Sequence, residues 1–165
     1  MEQLFLDILK RLGEMDGISY VDEDYGQLQT QEDTYPVTFP AILIDAPSVE
    51  WSEIGQLSQI GRVTLSVRLV LDCYHDTHYG STQEDNVAEH IQTYNAMHRL
   101  LQGFTPGLAS PLVRENTRFY TIAHGIKVYE SQYSCEINDV IVEYTAPCEA
   151  KTRLSLRLQK FGGQN

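Results

Sequence analysis

The apolar and polar positions of the chain fall into stretches of recognisable period. Leu4, Phe5, Ile8, Leu9 and Leu12 recur at helical spacing, and Gly13 stands where helices commonly stop, so the first element is an amphipathic helix. Residues 18–22, ISYVD, form a short strand candidate, and the following DYGQLQTQEDTYPVTFP is polar, punctuated by prolines and loop-like. Ala41 to Asp45 is a short β-branched run suited to a buried strand. From Gln59 to Tyr74 the alternation is the clearest in the sequence. Val63, Leu65, Val67, Leu69, Leu71 and Cys73 share one face, while Arg62, Thr64, Ser66, Arg68 and Asp72 share the other, as in a long half-buried strand.

Ser81 and Glu84 have capping-box spacing, and Val87, Ile91, Tyr94, Met97 and Leu101 then follow a helical stripe that Gly103 and Pro106 end, which predicts a second helix over residues 83–102. FTPGLASPLVRENT reads as a loop. Two further β stretches follow, Tyr120 to Tyr133 and Val140 to Ala146, with Asn138 and Asp139 as turn residues between them. Gly125 within the first of these marks a bulge, and PSVEWSEIGQ reads as a loop between strands. The last alternation is Leu154, Leu156 and Leu158. The order of helix, strands, helix and strands predicts an α+β fold: a mainly antiparallel sheet with both helices packed on one face. No repeat or composition shift divides the chain, so residues 1–150 are expected to form one domain and residues 151–165 an extended C-terminal arm.

Composition sharpens this picture at two points. Chain length allows a core that needs no disulfide staples, and the odd set Cys73, Cys135 and Cys148 lacks CxxC spacing, which suits a reducing compartment. Pairing of Cys135 with Cys148 across neighbouring strands is the alternative. The N-terminus has no basic region ahead of an apolar stretch, and no apolar run is long enough for a bilayer, so a cytoplasmic protein without membrane association is expected. The net charge is −11, and every acidic residue lies at or before Glu149, whereas Lys151, Arg153, Arg157 and Lys160 follow it. An acidic body repels phosphate and argues against nucleic-acid binding by a single copy. The basic arm is suited to an acidic surface, including that of another copy.

Candidate chemistry concentrates in LDCYHDTHYGS, residues 71–81. A continuing strand would place Cys73 and His75 on one side as two metal ligands, with Asp76 or His78 as a third, and a metal-dependent enzyme using Cys73, His75 and His78 is the rival reading. The structural reading takes Cys73 as a small core hydrophobe at a strand end and the rest as a polar connection, and no HExxH, CxxC or paired HxH framework opposes it. His90 and His98 stand eight residues apart on the second helix, too far to share one ion. His124 reads as a hydrogen-bonded core or rim residue. Asp22, Glu23 and Asp24 read as a solvated strand end. GxSxG, Walker and GxGxxG motifs are absent from the sequence. Trp51 either caps the core or anchors a subunit interface, and its loop-like surroundings favour the interface. A small module whose sheet edge takes up a peptide is a third reading.

The arrangement of an N-terminal helix, a FPAILID-like strand, a long loop, the strand RVTLSVRLVLDCYH, one amphipathic helix and YESQYSCEINDVIVEY as a closing hairpin resembles the tail-terminator, or tail-completion, proteins of long-tailed bacteriophages and prophages. The resemblance covers residues 1–150 and rests on order and spacing. It implies a structural protein, not an enzyme, without cofactor, catalytic residues or metal. It further implies a ring, commonly of six copies, that caps the tail tube and joins it to the head connector, first in the bacterial cytoplasm and then in the virion. DNA would pass through an acidic lumen without being bound. The interface elements expected are the 47–60 loop with Trp51 and the arm with Arg153, Leu154, Leu156 and Arg157. The insert at residues 24–38 and the arm depart most from the family pattern.

Overall fold

A computed structural model describes residues 1–29, 36–55, 58–73, 78–81, 83, 85–122 and 125–140. The elements run α1 (Glu2–Gly13), β1 (Tyr20–Glu23), β2 (Ala41–Ile44), β3 (Ser48–Gly55), β4 (Ser58–Asp72), α2 (Asp85–Leu101), β5 (Val113–Thr121) and β6 (Ile126–Val140). The fold is α+β, with two helices on one face of a mainly antiparallel sheet. In α1 the residues Leu4, Ile8 and Leu12 form one buried stripe, with Glu2 in the first turn and Lys10 and Arg11 in the last, each sign at the helix end that favours it. In α2 the buried residues are Tyr94, Met97 and Leu101. The expected stripe fails at Ile91, which is 47% exposed. The helix starts at Asp85, beyond Ser81, and Glu84 lies outside the described residues.

The strands are ordered β1-β2-β4-β6-β5, and β3 pairs with β4 beside β2. Only β1 and β2 run parallel among the described pairs. The spine is β4 with β6, each of 15 residues, paired without a break from Ser58 opposite Val140 to Asp72 opposite Ile126. Val63, Leu65, Val67, Leu69 and Leu71 meet the helices, as their alternation predicts. The opposite face is not purely polar. Ala41, Leu43, Val70, Ile126 and Val128 form a second small cluster there, covered by Leu28, Val37 and Phe39 from the chain between β1 and β2. The insert read as a polar loop is thus, at its two described ends, a cover for the second face.

Three expectations are corrected. Residues 48–55 are a strand, not a loop: Ala46 and Pro47 interrupt pairing only briefly, since Asp45 N–H still donates to Ser66 O at 2.9 Å before β3 resumes on the same edge of β4. Residues 113–117, also read as loop, belong to the edge strand β5, which runs on to Thr121 where the sequence already predicted β structure. Asn138 and Asp139 do not turn, because Ile60 and Gln59 pair with them in the ladder. The predicted Tyr120–Tyr133 stretch instead divides between two strands, since Thr121 of β5 pairs antiparallel with Lys127 of β6, and Gly125 between them has a left-handed φ of 74°. The bulge falls instead between Arg114 and Asn116. The 140–146 strand lies outside the described residues from position 141.

Gly61 shows how tightly the hairpin of β3 and β4 is packed. A Cβ at this position would sit 2.7 Å from Val49 Cγ1 and 2.8 Å from Trp51 Cζ3. Gly61→Ala is therefore expected to displace the Trp51 ring and to destabilise the fold by about 1–3 kcal/mol. Urea titration followed by tryptophan emission checks this; an unchanged midpoint and spectrum would refute the contact.

Candidate interaction surfaces

Strand alternation places Arg68 on the face of β4 turned away from the helices, opposite Glu130 of β6. Because β1 and β2 run parallel in register, with Glu23 beside Ile44, the residues that follow them, Asp24 and Asp45, emerge close together. The Arg68 guanidinium pairs with Asp24, with Asp45 at 2.8 Å and with Glu130 at 3.0 Å. Arg118 of β5 and the Tyr120 hydroxyl each donate to Glu130 at 3.0 Å. The Arg68, Asp24 and Glu130 side chains are only 19%, 10% and 10% exposed. Asp24 is therefore not a solvated strand end but part of a mostly buried charge cluster tying β1, β2, β4, β6 and β5 together. Burial pushes the Glu130 carboxyl up, and hydrogen bonds from Arg118, Arg68 and Tyr120 outweigh this, leaving it below the ordinary glutamate range. Burial likewise opposes the Arg68 charge, and Glu130, Asp45 and Asp24 more than compensate. A carboxylate held ionised by three donors is a poor general base, so this cluster is a clamp.

Between α2 and the sheet the polar groups satisfy one another. The Tyr94 hydroxyl lies 3.0 Å from Ser131 Oγ and 3.1 Å from Thr117 Oγ1, and accepts a hydrogen bond from Arg114 at 2.8 Å. His98 Nδ1 is 3.0 Å from the Tyr133 hydroxyl. Burial, with Arg114 nearby, lowers the His98 pKa, so the ring is neutral, and burial raises that of Tyr133. His90 instead meets Cys73, with Nδ1 3.6 Å from Sγ. The two helix histidines thus serve different partners, as their spacing implies. His75, Asp76 and His124 lie outside the described residues, and His78 contributes its backbone carbonyl to a turn with Ser81 N–H. Burial raises the Cys73 thiol away from the thiolate that metals require. Among the described residues no group of three or more His, Cys, Asp or Glu side chains is arranged to hold an ion. Cys135 is a free buried thiol, pushed up to about 11 by burial, and Cys148 lies outside the described residues.

Trp51 sits on β3 opposite Gly61, on the helix side of the sheet but at its far end, 43% exposed. Here β3, the start of β4 and the end of β6 form a three-stranded extension whose outer strand is almost wholly exposed. A cleft of about 340 Å³ opens between this extension, the start of α1 and the loop at Pro106–Ala109, with Trp51, Ile137, Asp139, Leu4 and Leu108 among its lining. Its rim is fixed: Gly107 N–H donates to Asp7 Oδ2 at 2.8 Å, and Ser110 N–H to Glu136 O at 2.7 Å. Leu108, on that rim, is 101% exposed. A second apolar hollow, about 280 Å³, lies by Ile91, Phe119 and Tyr129 at the β5 edge. Arg153, Leu154, Leu156 and Arg157 lie outside the described residues. Sequence reasoning missed the Arg68 cluster and the Cys73–His90 contact, which join residues far apart in the chain.

No family model matches the sequence, and no curated protein matches it. Among solved structures the fold is similar to a chain of the virion of a native gene transfer agent (GTA) particle, with a TM-score of 0.59 and 7% sequence identity. The match covers 84% of this chain and 96% of that one. At this identity the likeness establishes a shared fold.

Breaking the charge clamp has a defined outcome. Arg68→Leu leaves Asp24 and Glu130 poorly compensated, so a loss of about 3–5 kcal/mol is expected at neutral pH. Since the folded Glu130 value lies below the unfolded one, its contribution is complete above about pH 4.3 and is lost as pH falls through the folded value. The gap between Arg68→Leu and wild type in urea midpoints should therefore narrow as pH drops from 6 to about 3. A gap independent of pH would mean that Arg68 contributes packing rather than charge.

Proposed function

We propose that this protein is a structural component of a phage-related particle and acts by associating with copies of itself in a ring that closes the tail tube and joins it to the head connector. The observation that carries the reading is the fold shared with a GTA virion chain over nearly all of that chain's length. The order of elements that resembles tail-terminator proteins points the same way. No helix among the described residues is long and apolar enough to cross a membrane.

Ring closure needs heterologous contacts, in which one surface meets a different surface on the next copy. The three-stranded extension with Trp51 and the arm with Arg153, Leu154, Leu156 and Arg157 are the proposed pair of elements. The acidic body, with net charge −11 for the whole chain, would give a lumen that DNA traverses without adhering. Assembly takes place in the bacterial cytoplasm, and the ring then becomes part of the virion.

Size-exclusion chromatography with light scattering tests this. A multiple of the 18.8 kDa chain mass is expected, either at high concentration or on addition of tail-tube protein. Truncation after Glu149 should leave circular dichroism native and abolish the assembly. A strict monomer under every condition would refute the proposal.

A further inference from the structure

We infer that the Trp51 cleft is the receptor for the basic arm of a second copy: the leucines of segment 151–160 enter between Trp51 and Leu108, and its cations meet the acidic rim. This rests on the ring reading above and specifies its contact. The cleft is apolar in its floor, and its lining holds the carboxylate of Asp139 and no lysine or arginine side chain. Glu53 stands two residues along β3 from Trp51, on the same side of the strand and exposed, and Glu2 is exposed at the start of α1.

The arm has the complementary pattern. In an extended segment Leu154, Leu156 and Leu158 fall on one side and Lys151, Arg153 and Arg157 on the other, Lys160 follows the leucines on their side at the segment's end, and no acidic residue follows Glu149. Each other open site fits it less well. The β5 edge carries Arg114 and Arg118, which repel a basic segment, and the far sheet face is occupied by the Arg68 cluster. The ring reading assigns the cleft to the arm of a neighbour, and the concentration dependence of Trp51 protection separates this from a cover by the chain's own arm. β6 runs past Ile137 and Asp139 along the cleft, and its last described residue, Val140, pairs with Ser58 at the tip of the extension.

Trp51 is the single tryptophan of the sequence, so intrinsic emission of the full-length protein reports on this cleft. Raising the concentration through assembly should shift the emission to the blue and reduce acrylamide quenching. Leu154→Asp with Leu156→Asp should remove both changes, and so should Leu108→Asp, which alters a fully exposed side chain and leaves the fold intact by circular dichroism. Assemblies in which Trp51 stays as quenchable as in the dilute monomer, or in which these variants change nothing, overturn the docking and leave the ring reading standing. Protection already complete in the dilute monomer also overturns it, because a cover from the chain itself is then at work. Absence of assembly at every concentration, with or without added tail-tube protein, removes the ring reading and the docking with it.

Discussion

The structure depends on the unbroken pairing of β4 with β6. Fifteen paired residues make a ladder about 50 Å long at the usual rise, whereas α2, with 17 residues, is about 25 Å long and α1 is shorter. The two helices pack against each other and share one core, so neither can follow the ladder to its end. What lies beyond them is left without a helical cover. The burial of β4 records the change along one strand: every second residue from Gly61 to Leu71 is buried, and Ser58 to Ile60 are not. Trp51 stands at that border, resting on Gly61 with much of its ring open.

The same ladder explains why a charge cluster is placed in the middle of the sheet's second face. A slip of one residue between β4 and β6 would turn the slipped strand's charge, Arg68 or Glu130, to the helix side and carry that strand's core residues to the opposite face. Opposite charges in register, joined by Asp24, Asp45 and Arg118, add a penalty to every such slip, because an unpaired buried charge costs several kcal/mol. Their net contribution to stability can be small while their contribution to register is large. The bulge at Glu115 has a related use. It lets the β5 edge place that carboxylate against Arg62 and Ser134, closing the outer part of the same face.

Much of the fold was legible because the decisive signals are local. Leu4, Ile8 and Leu12, or the alternation from Val63 to Leu71, declare a period within a few turns or pleats. β3 was hidden by Pro47, Ser48 and Gly55, which punctuate it like a loop although Val49 and Trp51 alternate with Glu50 and Ser52. The start of β5 was hidden because VRENTRFYT is an edge strand largely open to water and has little apolar content to alternate. Asn138 and Asp139 are turn formers that the ladder overrides through partners in β4. Asp24 and Arg68 are separated by 44 positions, as are many long-range ion pairs that no window of sequence reveals. For the sites, Trp51 was found from residue type alone, and the cleft beside it needed the 106–109 loop and the start of α1 to be placed.

The perturbed ionisable groups bear on how this surface is used. Burial moves the Cys73, Cys135 and Tyr133 protons toward tighter retention, the Arg68 and Arg118 partners keep Glu130 ionised, and His98 is kept neutral. General acid–base and nucleophilic catalysis want groups poised near the working pH, and each of these is pushed away from it. The same shifts suit a protein that must hold one shape while presenting an acidic exterior. Carboxylate and guanidinium pairs hold β1, β2, β4, β5 and β6 together, and the extension continues the β4–β6 ladder of that body without a break in pairing. Under the proposed ring, an extension already paired into the sheet would lose little entropy on meeting a neighbour, so that a modest apolar contact through Trp51 and Leu108 would suffice.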